Sequence, residues 1–276
     1  YSNNVTDIRS IMCWGYGGNG QIGDGLSDST DAPSSSNIVS TDVDTALGVV
    51  DSSNYYSTGP NDVKKISLSD FSSFGCAMSY VGHVKCWGYN VNGNLGIGNT
   101  TQIGDGPSEM GADLKFVQLG SNRTAKDIVV GQVHACAILD NDEIKCWGYN
   151  GYGQLGIGNN TQIGDSYGEI WGDNILAVSL GDNHTALSIS AGRMHTCAIL
   201  DNGDVKCWGY NGYGQLGIGN TLTIGDGINE MGDNLQRVDL GYGRTALQIV
   251  SSDYSNCALL DSGLVKCWGR GNYGQL

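Results

Sequence analysis

The chain has 276 residues, of which 44 are glycine and only 3 are proline. Its 28 acidic residues outnumber its 14 basic residues, and this balance argues against nucleic acid or an anionic membrane as a partner of the general surface. No apolar run approaches the ~20 residues that a membrane span requires, so direct membrane insertion is not expected. The glycines follow no three-residue period, which excludes collagen and favours many tight turns between short strands.

A repeat ending in Cys-Trp-Gly organises the chain from end to end. Its tryptophans are separated by 73, 60, 61 and 60 residues, a spacing that indicates about four and a half copies of one structural unit. We therefore predict that residues 1–276 form a single repeat domain or part of one. The anchoring tryptophans are Trp14, Trp87, Trp147, Trp208 and Trp268.

The first part of the chain is the least regular. Its incomplete copy of the repeat ends at Cys13, with no cysteine ten positions earlier. Additional residues rich in Ser, Asp and Tyr fall in Ser27–Ser40 and around 52–62. Such insertions are expected on loops, where function often concentrates, although drift in a tolerant loop explains them as well.

A β-hairpin is the best-defined element of each repeat, and residues 197–207 show it most clearly. Apolar residues alternate along both halves, and Asp201-Asn202-Gly203 supplies the turn. Pairing about Asn202 puts Cys197 opposite Cys207, close enough for a cross-strand disulfide. The spacing lacks the short Cys or His intervals of a zinc site. The same pairing predicts Cys76–Cys86, Cys136–Cys146 and Cys257–Cys267, with Cys13 left over.

Each full repeat contains four strand candidates and no sustained helical periodicity. In the third repeat they are Ala177–Leu180, Ala186–Ser190, Thr196–Leu200 and Asp204–Trp208. Four short strands in a repeat of this length are typical of a blade of a β-propeller, an all-β fold. We expect strand to dominate, with helix content near zero.

The cysteines and the asparagines together predict an extracellular or cell-surface location. Disulfides persist in oxidising compartments, and five Asn-x-Ser/Thr sequons could accept N-linked glycans. Chance is the alternative, since Asn and Thr are common here, but two pairs of sequons recur at matching repeat positions. The sequons begin at Asn4, Asn99, Asn122, Asn159 and Asn183.

The motifs resemble those of the regulator-of-chromosome-condensation repeat family, and are most similar to its cysteine-bearing, alpha-tubulin-suppressor-like branch. The matching segments are Gly148–Gly156, Ala191–His195 and Asp201–Gly209. The resemblance implies a β-propeller, usually of seven blades, in a family of protein-binding platforms, exchange factors and inhibitors. Phe74 and Ser255 replace the family histidine, and the acidic surface with paired cysteines argues against the nuclear exchange-factor role.

Most recurring polar residues have a structural interpretation. We expect the tryptophans to pack between blades, and the lysine two positions earlier to reach water from a strand end. The Gly-rich connection lacks the following helix of a phosphate-binding loop. His134 and His195 occupy equivalent positions and are expected to be structural, so we predict no enzyme, no catalytic residue and no cofactor.

Recurring carboxylates are the weak candidates for a metal site. Asp105, Asp165 and Asp226 end the tripeptide Ile-Gly-Asp and are followed by further acidic residues, so loop oxygens could hold Ca²⁺. The known calcium-loop patterns are absent, and an aspartate can instead cap its own turn. The prediction is that no metal is bound.

The leading hypothesis for function is a structural or adhesive interaction module of an extracellular appendage or matrix, with protein partners or neighbouring copies of itself. A lectin-like propeller is the first alternative, with one shallow glycan pocket per blade at Tyr149/Tyr152 and Tyr210/Tyr213. The second alternative is a specific inhibitor or receptor ligand that uses the insertion at 52–62. Seven blades of this repeat need far more than 276 residues, so we expect continuation of the chain or closure by a neighbouring copy.

Overall fold

Four sheets of three antiparallel strands make up the described part of the protein. A computed structural model describes residues 63–68, 73–107, 109–169 and 174–276. Trp14, Cys13, Asn4 and the two insertions lie outside these ranges, so their predictions stay predictions. Blade 1 comprises β1 (Val63–Leu68), β2 (Phe74–Ser79) and β3 (Val84–Gly88); blade 2, β4 (Ala125–Val130), β5 (His134–Leu139) and β6 (Ile144–Gly148); blade 3, β7 (Ala186–Ala191), β8 (His195–Leu200) and β9 (Val205–Gly209); blade 4, β10 (Ala246–Ser251), β11 (Ser255–Leu260) and β12 (Val265–Gly269).

The blades follow one another side by side, as in a β-propeller. The first strands are neighbours in space, since β1 contacts β4, β4 contacts β7 and β7 contacts β10. The structure has short 3₁₀ turns at Gly111–Asp113 and Gly232–Asn234. No helix in the described ranges is long and apolar enough to span a membrane. The prediction of an all-β propeller is confirmed.

The predicted first strand of the third repeat is wrong in two respects. Ala177 forms only a single bridge, and that bridge is to Lys145 in blade 2, while Val178 N–H donates to the Ile144 carbonyl at 2.9 Å. The segment therefore extends the preceding blade. Burial alternates along it, with Val178 and Leu180 buried and Ala177 and Ser179 exposed, but the backbone makes one bridge and not a continuous strand. Equivalent bridges join Lys85 to Phe116 and Lys206 to Arg237.

The hydrophobic core lies between blades. One cluster packs Cys136, Cys146 and Leu155 of blade 2 and its following loop against Trp208 of blade 3, all without solvent exposure. Trp147 lies in the same way in the cluster between blades 1 and 2. The second and third strands of blades 1 to 3 are consequently buried on both faces. The prediction that the tryptophans pack between blades is confirmed for Trp147 and Trp208.

Each blade contains one disulfide between its second and third strands. The register sets Cys197 opposite Cys207, and the Cα–Cα distance of the pair is 4.1 Å. The four bonds are Cys76–Cys86, Cys136–Cys146, Cys197–Cys207 and Cys257–Cys267.

Replacing both Cys197 and Cys207 with alanine should lower the free energy of unfolding by roughly 2–3 kcal/mol. The bond closes a short loop and restricts the unfolded chain, which loses that restriction in the variant. Denaturant unfolding followed by tryptophan fluorescence measures the change. Mass mapping of non-reduced peptides is the control, and a peptide joining cysteines of different hairpins would contradict this pairing.

Candidate interaction surface

The open ends of the hairpins form a distinct edge of the propeller, opposite the hairpin turns. Here the loop before the second strand meets the first residues after the third strand. One backbone hydrogen bond beyond the strand pairing joins the two: Tyr149 N–H donates to Val133 carbonyl and Tyr210 N–H to Met194 carbonyl, both at 2.8 Å. Arg270 N–H donates to Tyr254 carbonyl at 2.9 Å. The same bond in successive blades presents the adjacent side chains at equivalent places.

Tyrosine and arginine side chains at this edge form one continuous surface, here called the Tyr–Arg band. Rings of neighbouring blades contact each other, with centroids 5.0 Å apart for Tyr152 and Tyr210 and 4.9 Å apart for Tyr213 and Tyr254. The separate pocket predicted for each blade is therefore replaced by a shared surface. The band comprises Tyr149, Tyr152, Arg193, Tyr210, Tyr213, Tyr254, Arg270 and Tyr273.

Two arginines cover ring faces in the band. The guanidinium of Arg193 lies 5.4 Å from the ring centroid of Tyr254, and that of Arg270 lies 5.1 Å from Tyr213 and 5.2 Å from Tyr273. Such cation–π contacts contribute about 0.5–1 kcal/mol at exposed sites. The Nε atoms of both arginines are buried without a hydrogen-bond partner. Within the described ranges, neither guanidinium forms a salt bridge with a carboxylate.

Glycines next to the band determine where two of its rings lie. A Cβ atom at Gly151 would be 2.1 Å from the hydroxyl of Tyr149, and one at Gly212 would be 2.1 Å from that of Tyr210. Each ring therefore folds over a glycine backbone. In blade 1 the residue equivalent to Gly151 is Val91, so the band runs over blades 2 to 4. Burial raises the pKa of the Tyr210 phenol, and the neighbouring tyrosines raise it further, which keeps this hydroxyl a neutral donor.

A pocket adjoins the band near the propeller axis, where the ends of β1, β4, β7 and β10 meet. Arg193 lines it together with Ser252 and Asp253. Arg193 thus belongs both to the pocket and to the band. Sequence reasoning missed Arg193, Arg270 and Tyr254, which come from loops that carry different residues in other repeats.

The two equivalent histidines, which the sequence predicts to be structural, link neighbouring blades. Both are fully buried; His134 Nε2 lies 2.8 Å from Thr196 Oγ1, and His195 Nε2 lies 3.0 Å from Asn256 Oδ1 in the next blade. The Thr196 hydroxyl donates to Gln154 carbonyl, and Asn256 Nδ2 donates to a loop carbonyl. Because the Thr196 hydroxyl has already donated its hydrogen and Asn256 Oδ1 can only accept, each histidine Nε2 must be the donor. Neutral imidazoles satisfy this arrangement.

Lowering the pH from 7.5 to 5 should destabilise the fold by about 2 kcal/mol for each of these histidines. Burial lowers the pKa of His134 to about 3, with the charge on His195 adding to the effect, and burial lowers the pKa of His195 to about 4. The unfolded chain therefore binds protons first as the pH falls below about 6.5, and stability is lost from there down to the folded pKa values. Urea unfolding at both pH values measures the loss. The His195→Gln variant should lose less stability on acidification, and an unchanged loss would contradict this assignment.

The lysines of Lys-Cys-Trp-Gly correct a prediction. They are buried in blades 1 to 3, whereas a position reaching water is expected from the sequence. Lys206 Nζ donates to the carbonyls of Leu180 at 2.8 Å and Gly232 at 3.0 Å. Lys85 lies 4.5 Å from the Phe116 ring, and burial lowers its pKa to about 8. The buried ammonium groups anchor the long connection to its blade.

The candidate calcium residues lie in loops whose backbone N–H groups are bound by a carboxylate of the same loop. Glu109 Oε2 accepts the backbone N–H groups of Gly104, Asp105 and Gly106 at 2.8–3.1 Å, and Gln102 Nε2 donates to Asp105 Oδ2 at 2.7 Å. Burial raises the pKa of Asp226, and so does the charge of nearby Glu230. The described ranges contain no group of three or more His, Cys, Asp or Glu residues arranged to hold a metal ion. The prediction that no metal is bound, with Asp105, Asp165 and Asp226 as the weak calcium candidates, stays a prediction.

The sequons occupy two kinds of turn. The side-chain oxygens of Asn99 and Asn159 accept the N–H groups of Thr101 and Thr161 at 2.9 and 2.8 Å. Asn122 and Asn183 are exposed, with φ values of 59° and 63°. Glycosylation at any of these positions stays a prediction.

Comparisons with known proteins find one recurrent relationship. The family model for the "Regulator of chromosome condensation (RCC1) repeat" matches residues 125–154, 187–215 and 247–275. The chain is 24% identical to the ultraviolet-B receptor UVR8 of Arabidopsis thaliana over 344 residues, covering 96% of this chain and 74% of that protein. It is 29% identical over 218 residues to the human E3 ubiquitin-protein ligase HERC2, covering 78% of this chain but only 4% of that protein.

Solved structures show the same fold. A structure of Kap60 bound to yeast RCC1 (Prp20) matches with a TM-score of 0.56 and 18% identity, over 79% of this chain and 45% of the other. The structure of human WBSCR16 matches with a TM-score of 0.55 and 19% identity, over 77% and 49% of the two chains. The chain thus spans less than half of each of these propeller chains.

Proposed function

We propose that this chain, which belongs to the regulator of chromosome condensation repeat family, is a non-enzymatic protein-interaction module that works outside the cell or at its surface. The Tyr–Arg band is the observation that carries the proposal. Tyrosine and arginine dominate the energetic centres of protein interfaces because they combine large contact area with hydrogen bonding. The role we favour is structural or adhesive, within an extracellular assembly.

The band is available to a partner. Tyr273 is 82% exposed and Tyr213 is 40% exposed, although both rings are already positioned by arginine. Rigid side chains lose little conformational entropy on binding, which favours affinity. A protein with this fold is bound to another protein in the Kap60 structure, which supports the class of function without identifying a partner.

The recurring polar groups that could suggest catalysis are occupied in joining blades and loops. His134 and His195 contact the next blade, and Lys206 contacts backbone carbonyls. A catalytic acid or base needs contact with substrate, which buried groups with protein partners do not offer. The ligase activity in the name of HERC2 does not transfer, because the match covers 4% of that protein.

Extracellular placement is supported by the disulfide in each described blade, since such bonds are rare in reducing compartments. The sequons agree with it. The name of UVR8 denotes a light receptor and that of HERC2 a ubiquitin ligase, so the location rests on this chain's own cysteines.

Alanine at both Tyr152 and Tyr213 tests the function. The tagged protein and the double variant are secreted from the same cells, cross-linked and purified, and the recovered proteins are quantified by mass spectrometry. We expect a set of partners that the double variant loses and that a Tyr242→Ala control retains. Tyr242 is fully exposed and lies outside the band, so its removal matches the loss of an exposed tyrosine. Identical partners for all three proteins, with equal thermal stability, would contradict the proposal.

A lectin is the second candidate, favoured by the tyrosine rings of the same band. A glycan array probed with the protein and the Tyr152/Tyr213 double variant separates the two. Sugar binding that depends on both tyrosines would replace the protein-interaction role with the lectin role. Absence of sugar binding removes this candidate.

A further inference from the structure

We infer that the Tyr–Arg band binds an acidic segment of a partner protein, with a carboxylate of that segment placed at Arg193 beside the axial pocket. The inference rests on the proposed function and specifies the chemistry of its partner. Two features support it. Within the described ranges Arg193 and Arg270 have no carboxylate partner, and the tyrosine ring faces of the band are covered by these arginines and by neighbouring rings.

The described arginines differ in whether they pair with a carboxylate. Arg123 pairs with Asp140, Arg237 with Asp204 and Arg244 with Asp261. Arg193 and Arg270 form no salt bridge within the described ranges and stack instead on tyrosines. A chain with a formal net charge of −14 therefore presents two unneutralised guanidinium groups on one surface. A partner carboxylate can accept two parallel N–H bonds from such a group, which is the strongest common polar contact between proteins.

The pocket places Arg193 where a carboxylate could approach. Ser251, Ser252 and Gly192 line the pocket beside it. Asp253 also lines the pocket, and its backbone carbonyl accepts the Arg193 N–H at 3.1 Å. The lining also includes apolar residues at the ends of β1 and β4, Leu68 and Val130. Arg193 is the basic residue of this lining, so an incoming carboxylate would pair with Arg193 while the rest of the segment crosses the tyrosines of blades 3 and 4.

Ring geometry favours a peptide over a sugar or a nucleic acid base. Tyr152 and Tyr210 are inclined at 63°, and Tyr210 and Tyr213 at 74°, so the edge of one ring meets the face of the next. Arg270 lies over Tyr213 and Tyr273. Bases stack on an open aromatic ring face, and a sugar that packs on a ring needs the same open face, whereas peptide side chains pack against tilted rings and hydrogen-bond to their hydroxyls. The net negative charge also repels a nucleic acid backbone.

A random 12-residue peptide library displayed on phage tests the inference. Peptides selected on the immobilised protein are sequenced, and the affinities of the ten most enriched peptides are measured by fluorescence polarisation. We expect enrichment of Asp and Glu over the starting library. Affinity should fall at least about tenfold for the double variant Arg193→Gln/Arg270→Gln, and less in high salt than in low salt.

The matched control is Arg123→Gln/Arg244→Gln, which removes the same charge from arginines that pair with aspartate near the hairpin turns. It should bind the peptides as the unaltered protein does. Peptides without acidic enrichment, equal losses in both double variants, or no selectable peptide would each overturn the inference. Binding of an acidic polysaccharide, with loss in the band variant only and no peptide selected, would assign the surface to glycans instead.

These outcomes are distinguishable from failure of the proposed function. Should Tyr152→Ala/Tyr213→Ala lose protein partners while Arg193→Gln/Arg270→Gln keeps them, the interaction role stands and the acidic partner is excluded. Should both variants keep every partner, both proposals fail together.

Discussion

Replacing Trp208 with alanine should lower the free energy of unfolding by about 3–5 kcal/mol, the range for deleting a large buried aromatic side chain. Trp208 has no solvent exposure and fills the core between blades 2 and 3. Its Nε1–H donates to the Gln154 carbonyl at 3.0 Å, so the substitution also removes a hydrogen bond that joins the blades. Equilibrium unfolding in guanidinium chloride, followed by circular dichroism, measures the change.

Trp268→Ala is the matched control. This tryptophan has the equivalent bond to Gln215 at 2.9 Å but is only partly buried, because it belongs to blade 4. Its removal should therefore cost less than that of Trp208. A larger loss at Trp268 would contradict the account of a core shared between successive blades.

Alanine at Gly156 should be the second most damaging substitution, with an expected loss of about 2–5 kcal/mol. The added Cβ would lie 2.7 Å from Trp208 Nε1 and 3.0 Å from its Cδ1. The φ angle of +67° adds backbone strain for any residue with a side chain. Thermal and denaturant unfolding measure the two effects together.

Gly158→Ala separates the steric clash with Trp208 from the backbone strain. Gly158 has a similar φ of +71°, but its nearest neighbour to an added Cβ is 3.5 Å away. This variant should lose only about 1–2 kcal/mol, the cost of the left-handed backbone. If both glycine variants lose the same stability, the packing of Gly156 against Trp208 is not what requires glycine there.

The hairpin disulfides could be predicted because their causes are local. The turn at Asp201-Asn202-Gly203 and the ten-residue separation of Cys197 and Cys207 determine the pairing within a few residues of chain. The strand candidate Ala177–Leu180 could not be placed in the same way. Ala177 pairs with Lys145 of the preceding blade, a choice that depends on packing across the long connection.

The burial of Lys206 shows a second limit of strand patterns. Alternation assigns a strand one inner and one outer face, whereas the middle strands here are covered on both sides by neighbouring blades. Lys206 in that position donates to the Leu180 carbonyl of the preceding connection and to the Gly232 carbonyl of the following one. The recurrence of lysine at this position in all four full repeats was the sequence feature that could have indicated its structural role.

Half of the candidate surface was also accessible from sequence. Tyr149, Tyr152, Tyr210 and Tyr213 stand out as repeated aromatic residues of loops. Tyr254 and Arg193 do not, since the equivalent positions carry different residues in other blades and only the side-by-side arrangement brings them to those rings. A surface assembled from non-repeating residues is where a repeat protein can acquire specificity.

An alanine scan of every exposed or half-buried position in the described ranges tests the central claim most directly. Each variant is scored separately for folding and for retention of the partners recovered with the unaltered protein. The account predicts that variants losing partners but not stability cluster at Tyr152, Tyr213, Arg193 and Arg270. A cluster at the hairpin turns around Asp140 and Asp261, with the Tyr–Arg band indifferent to substitution, would contradict it.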